Sequence, residues 1–160
     1  MRALDDIAAF AALLPRGRAL AGLDLGTKTI GVAVSDVMRA IATPLLTIRR
    51  GKFAADAAEL AAIIAGRQIA GLVIGLPRNM DGSEGPRCQS VRAFARNLEG
   101  RIDLPVVFWD ERLSTVAAER ALIEGDTSRR RRAEVIDQVA AGIILQGALD
   151  RMAYLQEHGG

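Results

Sequence analysis

The sequence predicts an α/β domain: a mixed sheet of three antiparallel strands followed by parallel ones, with helices on both faces. Three observations predict it. Three apolar runs follow one another within the first fifty residues, separated only by short polar turns, as in hairpin-connected strands. Two later apolar runs, 71–76 and 104–109, alternate with segments of helical composition, as in parallel strands joined by crossovers. The chain has 160 residues, half of them hydrophobic, which suits one domain with a sizeable core.

Taken in order, residues 1–17 read as an extension carrying a short helix over 6–14 that packs on the domain. Asp5 and Asp6 spoil the basic start of a signal peptide, and Pro15 closes the apolar part without a small-residue cleavage pattern. A single domain then spans 18–152, leaving a tail at 153–160. Residues 19–25 form the first strand, Gly26 to Thr29 a turn, and 30–34 the returning strand. The third strand covers 41–48, where Pro44 marks an edge position or a bulge. An alanine-rich helix covers 54–65. GLVIGL, 71–76, is a short buried strand, followed by the loop PRNMDGSEGPR with a turn at Asp81-Gly82. Pro86 suits the first turn of a helix running to Leu98. The strand 104–109 ends on Asp110-Glu111-Arg112. Ser114 or Thr115 caps a helix reaching Ile123, 125–131 is a polar loop, and the last helix covers 132–151. No run approaches the ~18 apolar residues of a membrane span, so the expected location is the cytoplasm.

The chemistry concentrates in carboxylates. Asp24 interrupts an apolar run between Leu23 and Leu25. A buried strand has no use for an unpaired charge, so Asp24 either bonds the amides of the turn or does chemistry. Asp110 and Glu111 close a different strand, and neighbours on a strand face opposite ways, so only one of them points at a given site unless the strand has ended. An ion pair with Arg112 and an acid at a helix start would explain them structurally. Asp137 has Ala140, Ala141 and Ile144 three, four and seven residues on, which places it on or beside an apolar helix stripe. A carboxylate there is costly unless it pairs, for instance with an arginine of 129–132, or binds a metal. The only cysteine, Cys88, excludes an intramolecular disulfide and reads as an inert, partly buried thiol of a reducing compartment. With one histidine, His158, a zinc site and a histidine-based triad are both improbable. Two strand-end acids and one helix acid are hard oxygen ligands that suit Mg²⁺ or Mn²⁺. Such ions activate a water and stabilise the leaving oxygen of a phosphodiester. The charge balance is +2, but Arg129 to Arg132 form a run and Arg87, Arg92, Arg96 and Arg101 a cluster. Each is either a phosphate-binding surface or a solvated face.

Four stretches carry a resemblance. ALAGLDLGTKTIGVAVSD, VIGLPRNMDGSEGPR, WDERLSTVAAER and DQVAAGIILQGAL, in this order over 18–149, resemble the successive motifs of the YqgF family. This is a bacterial, RuvC-related, RNase H-like group whose members go by the names Holliday junction resolvase and pre-16S rRNA nuclease. The resemblance implies an RNase H-like fold and a cytoplasmic nuclease that processes the 5′ end of pre-16S rRNA in ribosome biogenesis. It implies Asp24, Glu111 and Asp137 as catalytic residues and ligands of Mg²⁺ or Mn²⁺. Arg112 would touch phosphate or orient Glu111, and Asp110 would be the inward acid if Glu111 is not. Lys28, Arg78, Asn79, Arg129 and Arg130 are candidate substrate contacts, whereas Asp81 reads as a turn residue capping the following helix. The expected partner is structured RNA, alternatively branched DNA, bound by a monomer or homodimer. GLDLGTKTIGVAV also resembles the first phosphate loop of actin-like kinases, but a chain of 160 residues lacks the second domain those need. A non-catalytic module binding RNA or the transcription and translation machinery is the other alternative.

Overall fold

A computed structural model describes residues 3–116 and 129–158, with side chains of the second stretch described from residue 135. The elements are α1 (Ile7–Ala12), β1 (Leu20–Leu25), β2 (Thr29–Ser35), β3 (Ala42–Arg49), α2 (Phe53–Arg67), β4 (Gly71–Leu76), α3 (Pro86–Leu98), β5 (Val106–Asp110), a 3₁₀ turn (Glu111–Leu113) and α4 (Arg129–His158). The strands form one sheet in the order β3-β2-β1-β4-β5. β1 to β3 are antiparallel, while β4 and β5 run parallel to β1. This is the mixed sheet the sequence predicts.

Both readings of Pro44 hold. β3 stands at the sheet edge, and its pairing with β2 slips between Val32 and Ala33, leaving Leu45 as the extra residue of a bulge. A proline cannot donate to the ladder, so an edge strand with a bulge accommodates it.

The core has two layers. Ala21, Leu23 and Leu25 point to the face covered by α2 and α3, with Leu60, Val91, Phe94 and Leu98. Leu20 and the alternate residues of β4 and β5, Val73, Val107 and Trp109, point to the other face, covered by α1 and α4. α4 lies close on that face because small residues admit it. A Cβ on Gly22 would meet the Leu145 Cβ at 2.7 Å, and one on Gly147 would meet the Trp109 ring at 2.9 Å.

The helix near the N-terminus covers Ile7–Ala12, shorter than the 6–14 expected, with Leu13 as its C-cap. Asp6 caps α1 by accepting from the Ala8 amide at 2.9 Å, and Phe10 is fully buried against Gly71. Ahead of the helix, Leu4 forms a parallel bridge with Val107, donating to the Val106 carbonyl and accepting from the Phe108 amide.

Three expectations need correction. α4 begins at Arg129 rather than 132 and runs to His158 rather than 151. Arginine is a good helix former, so the basic run extends the helix instead of looping, and the residues after 151 contain no breaker before the terminal glycines. Cys88 is wholly buried, and burial pushes its thiol pKa up, which keeps it unreactive. Asp81 braces its own turn, accepting from the Ser83 amide and hydroxyl, while α3 follows Gly85 at its N-cap without a side-chain cap. The helix expected from Ser114 to Ile123 lies, from residue 117 on, outside the described residues. Ser114 itself closes the 3₁₀ turn by donating to the Glu111 carbonyl at 2.8 Å.

Candidate active site

Strand alternation puts Asp24 on the α4 face, because Leu20 is buried there and Gly22 touches Leu145 and Ala141. Asp24 is 2% exposed. Directly opposite it on β2 is Gly31. On its other side Leu23 pairs with Ile74, so Gly75 of β4 lies beside it. The sheet therefore carries a row of glycine, aspartate, glycine across three strands at their site end.

The glycines make room for the other two acids. A Cβ on Gly31 would fall inside the Asp137 backbone carbonyl and 3.0 Å from the Asp137 Cβ, so α4 rests on β2 there. A Cβ on Gly75 would lie 3.2 Å from Glu111 Oε2 and 2.5 Å from the Ile144 Cδ1. The Glu111 carboxylate thus sits over β4, beneath α4, on the same face as Asp24. Asp137 stands four residues before Ala141 and seven before Ile144, both wholly buried, so the helix aims it at the row. Its carboxylate accepts a short hydrogen bond from the Thr29 hydroxyl.

Alternation also decides between Asp110 and Glu111. Trp109 points to the α4 face, so Asp110 turns away, and the 3₁₀ turn that follows brings Glu111 back under α4. Asp110 is committed elsewhere. It caps the turn through the Arg112 amide at 3.0 Å and pairs with the Arg112 guanidinium at 2.7 Å. Arg112 therefore holds Asp110 rather than Glu111, and its Nη1 also donates to the Met80 carbonyl, tying the 77–85 loop to the end of β5.

That loop is braced from within. Asn79 donates to the Ser83 hydroxyl at 3.0 Å, and Arg78 pairs with Glu84 at 3.5 Å. Glu84 pairs more tightly with Arg92, at 2.6 Å, and Arg92 also pairs with Asp5 of the extension at 3.0 Å. Arg78 and Asn79 thus shape the loop beside the row, while Lys28 is exposed in the β1–β2 turn. Arg129 and Arg130 lie in the first turn of α4, and their side chains lie outside the described residues.

The hydrogen bond from Arg92 holds the Glu84 carboxyl below its ordinary pKa, and that from Arg112 does the same for Asp110. A depressed folded-state pKa gives stability that is present above the unfolded value, about 4 for these groups, and is lost as pH falls through the folded value. The melting temperature is expected to hold between pH 7 and 5 and to fall below about pH 4. In Glu84→Gln and Asp110→Asn, melted across the same pH series, the acid limb should be shallower. An unchanged limb would remove these pairs from the account.

The donor set is all oxygen, which matches a hard divalent ion. The row also fits by position, since neighbouring strands stand about 4.8 Å apart and side-chain rotation covers that distance. As the carboxylates stand, with Asp137 turned to Thr29, no three metal-binding side chains among the described residues are close enough to hold an ion. Sequence reasoning missed Gly31, Gly75 and Thr29. A glycine inside a strand was the available signal, because it marks close approach of another element.

Comparison with known proteins agrees with the architecture. The chain is 72% identical over 156 residues to a protein of Cereibacter sphaeroides named "Putative pre-16S rRNA nuclease", covering 98% of each chain. It is 71% identical to a protein of the same name from Paracoccus denitrificans, over 94% of this chain and 96% of that one. Among solved structures, the yeast mitochondrial Holliday junction resolvase Ydc2 superposes with a TM-score of 0.56 at 11% identity, covering 93% of this chain and 85% of that one. RuvC of T. thermophilus, in complex with a Holliday junction substrate, gives 0.51 at 14% identity, covering 84% and 96%. At such identities these two speak for the fold alone, which is that of the RuvC-like, RNase H-like proteins. The profile described as RuvX, Holliday junction resolvase, matches residues 18–151, so the chain belongs to the RuvX family.

Proposed function

We propose that this protein is a divalent-metal-dependent nuclease that hydrolyses phosphodiester bonds of structured RNA, processing the 5′ end of pre-16S rRNA. The observation that carries the proposal is the glycine–aspartate–glycine row, over which Glu111 and Asp137 are admitted beside buried Asp24. A structural acid would not require two neighbouring strands to give up their side chains. The substrate class comes from the names of the close relatives. Asp24, Glu111 and Asp137 would hold Mg²⁺ or Mn²⁺, which supplies an activated water and neutralises the leaving oxygen. The chain's own contribution is placement. Asp24 is fixed by the sheet, Asp137 by α4 against Gly31 and by Thr29, and Glu111 by the 3₁₀ turn that Asp110 caps.

The family's description favours a second reading, cleavage of a four-way DNA junction. Symmetric cutting of a junction calls for a two-fold dimer, whereas trimming one RNA strand needs only a monomer. The experiment offers the pure protein a pre-16S 5′-leader RNA and a four-way junction in Mn²⁺, Mg²⁺ or chelator. Metal-dependent cutting of the RNA is the expected result, with a melting temperature about 3–6 °C higher at metal tenfold above its Kd. Cutting of the junction alone would replace the RNA reading with the resolvase one. Binding of RNA without cutting in any metal would overturn the nuclease reading in favour of a binding module.

A further inference from the structure

On the face of the sheet opposite the acids, a cavity of about 230 Å³ opens between the end of β1, the residue after β3 and the start of α3. Arg50 and Arg87 both line it, together with the exposed residues Thr27 and Ser90 and the apolar Leu25 and Phe94. Among the described residues no carboxylate lines it. Both guanidiniums are held in place by neutral groups. Arg50 donates to the Gly26 carbonyl at 2.6 Å and lies over the Phe94 ring at 5.3 Å, and Arg87 donates to the Leu25 carbonyl at 3.4 Å. Arg92 and Arg112, by contrast, are neutralised by Glu84, Asp5 and Asp110. Two like charges converging on one apolar-walled cavity repel each other, and an anion between them removes that repulsion. Planar guanidinium forks match the geometry of a phosphate group.

We infer that this cavity binds a phosphate of the same nucleic-acid strand that passes the acid row. The inference rests on the nucleic-acid reading above. Its geometric basis is the chain itself: Asp24 and Leu25 are consecutive, one on each face, and the Gly26–Lys28 turn stands between the two sites. A strand crossing that turn presents one phosphate to the acids and a later one to Arg50 and Arg87. The cavity then sets the register of the strand over the acids.

The test is binding of labelled pre-16S leader RNA in chelator across a salt series. Wild type is compared with Arg87→Gln, Arg50→Gln, the charge-keeping Arg50→Lys and Arg87→Lys, and Arg96→Gln as an exposed control on the same helix. Each glutamine variant is expected to bind about 10-fold more weakly. The slope of log affinity against log salt should fall by about 0.7 for each single-strand phosphate that is no longer neutralised. The lysine variants should recover most of the slope, and Arg96→Gln should match wild type. Where cleavage occurs, KM should rise with kcat unchanged. Unaltered affinity and slope in glutamine variants that melt like wild type would overturn the inference. So would inorganic phosphate that stabilises wild type while RNA binding ignores the substitutions, since the cavity would then take free phosphate. Arginine-dependent binding without any cutting would leave this inference standing and sink the nuclease reading. Normal cutting with an unchanged slope in both glutamine variants would do the reverse.

Discussion

Replacing Asp24 with asparagine is expected to lower metal-dependent cleavage by roughly 100- to 1,000-fold. An ion that stabilises charge in the transition state contributes several kcal/mol to the barrier, and its most enclosed proposed ligand carries a large share of that. Asparagine keeps the volume and much of the hydrogen-bonding capacity of the side chain, so a position only 2% exposed remains filled. The fold should therefore survive, as circular dichroism and melting would report. Rates measured under single turnover separate the chemical step from product release. Wild-type cleavage in a folded Asp24→Asn protein would remove Asp24 from the site, and with it the meaning given to the glycines on either side.

Gly31→Ala is the second large effect, and its reach is wider. The added methyl would meet backbone atoms of Asp137 rather than the flexible end of a side chain, so α4 itself has to move off β2. Overpacking costs typically about 1–3 kcal/mol, and a contact with backbone that cannot swing aside puts this one near about 3 kcal/mol. For a chain of this size that corresponds to a fall of roughly 6–12 °C in melting temperature. The displacement acts on the residue that presents Asp137, so activity should fall by more than the unfolded fraction explains. Gly66→Ala provides the contrast. A Cβ there meets nothing within 4 Å, inside helix α2, and the substitution should stabilise by about 0.5–1 kcal/mol. Thermal melts of both variants beside wild type check the pair of expectations, and a neutral Gly31→Ala would mean that α4 does not press on β2 in solution.

The sheet was legible because its signals are local. Turn residues fixed the β1–β2 hairpin, apolar runs marked β4 and β5, and Pro44 pointed to an edge or bulge that proved to be both. Asp24 and Asp137 stood out for a different reason, since each interrupts an apolar pattern, whereas Glu111 was singled out by the family resemblance. What could not be read was relative placement. Whether Asp110 or Glu111 faces α4 depends on where β5 stops alternating and the 3₁₀ turn begins, and no composition rule sets that residue. Arg112 was expected near Glu111 or phosphate, yet the capped turn folds its guanidinium onto Asp110. The arginines of α3 looked like one basic cluster. In space Arg92 is spent on Glu84 and Asp5, while Arg87 reaches the carbonyl of Leu25. Tertiary partners far along the chain made those choices.

The bridge at Leu4 has a consequence for how this protein behaves at high concentration. An open sheet has two borders, and each is a template on which a second chain can build. One border here is blunted by Pro44 and the Leu45 bulge, the other by the N-terminal segment lying along β5. With both borders blunted, the sheet is a poorer template for strands from another molecule. Strand-to-strand assembly is thereby disfavoured, and the segment at Leu4 serves as a guard against aggregation at the β5 border.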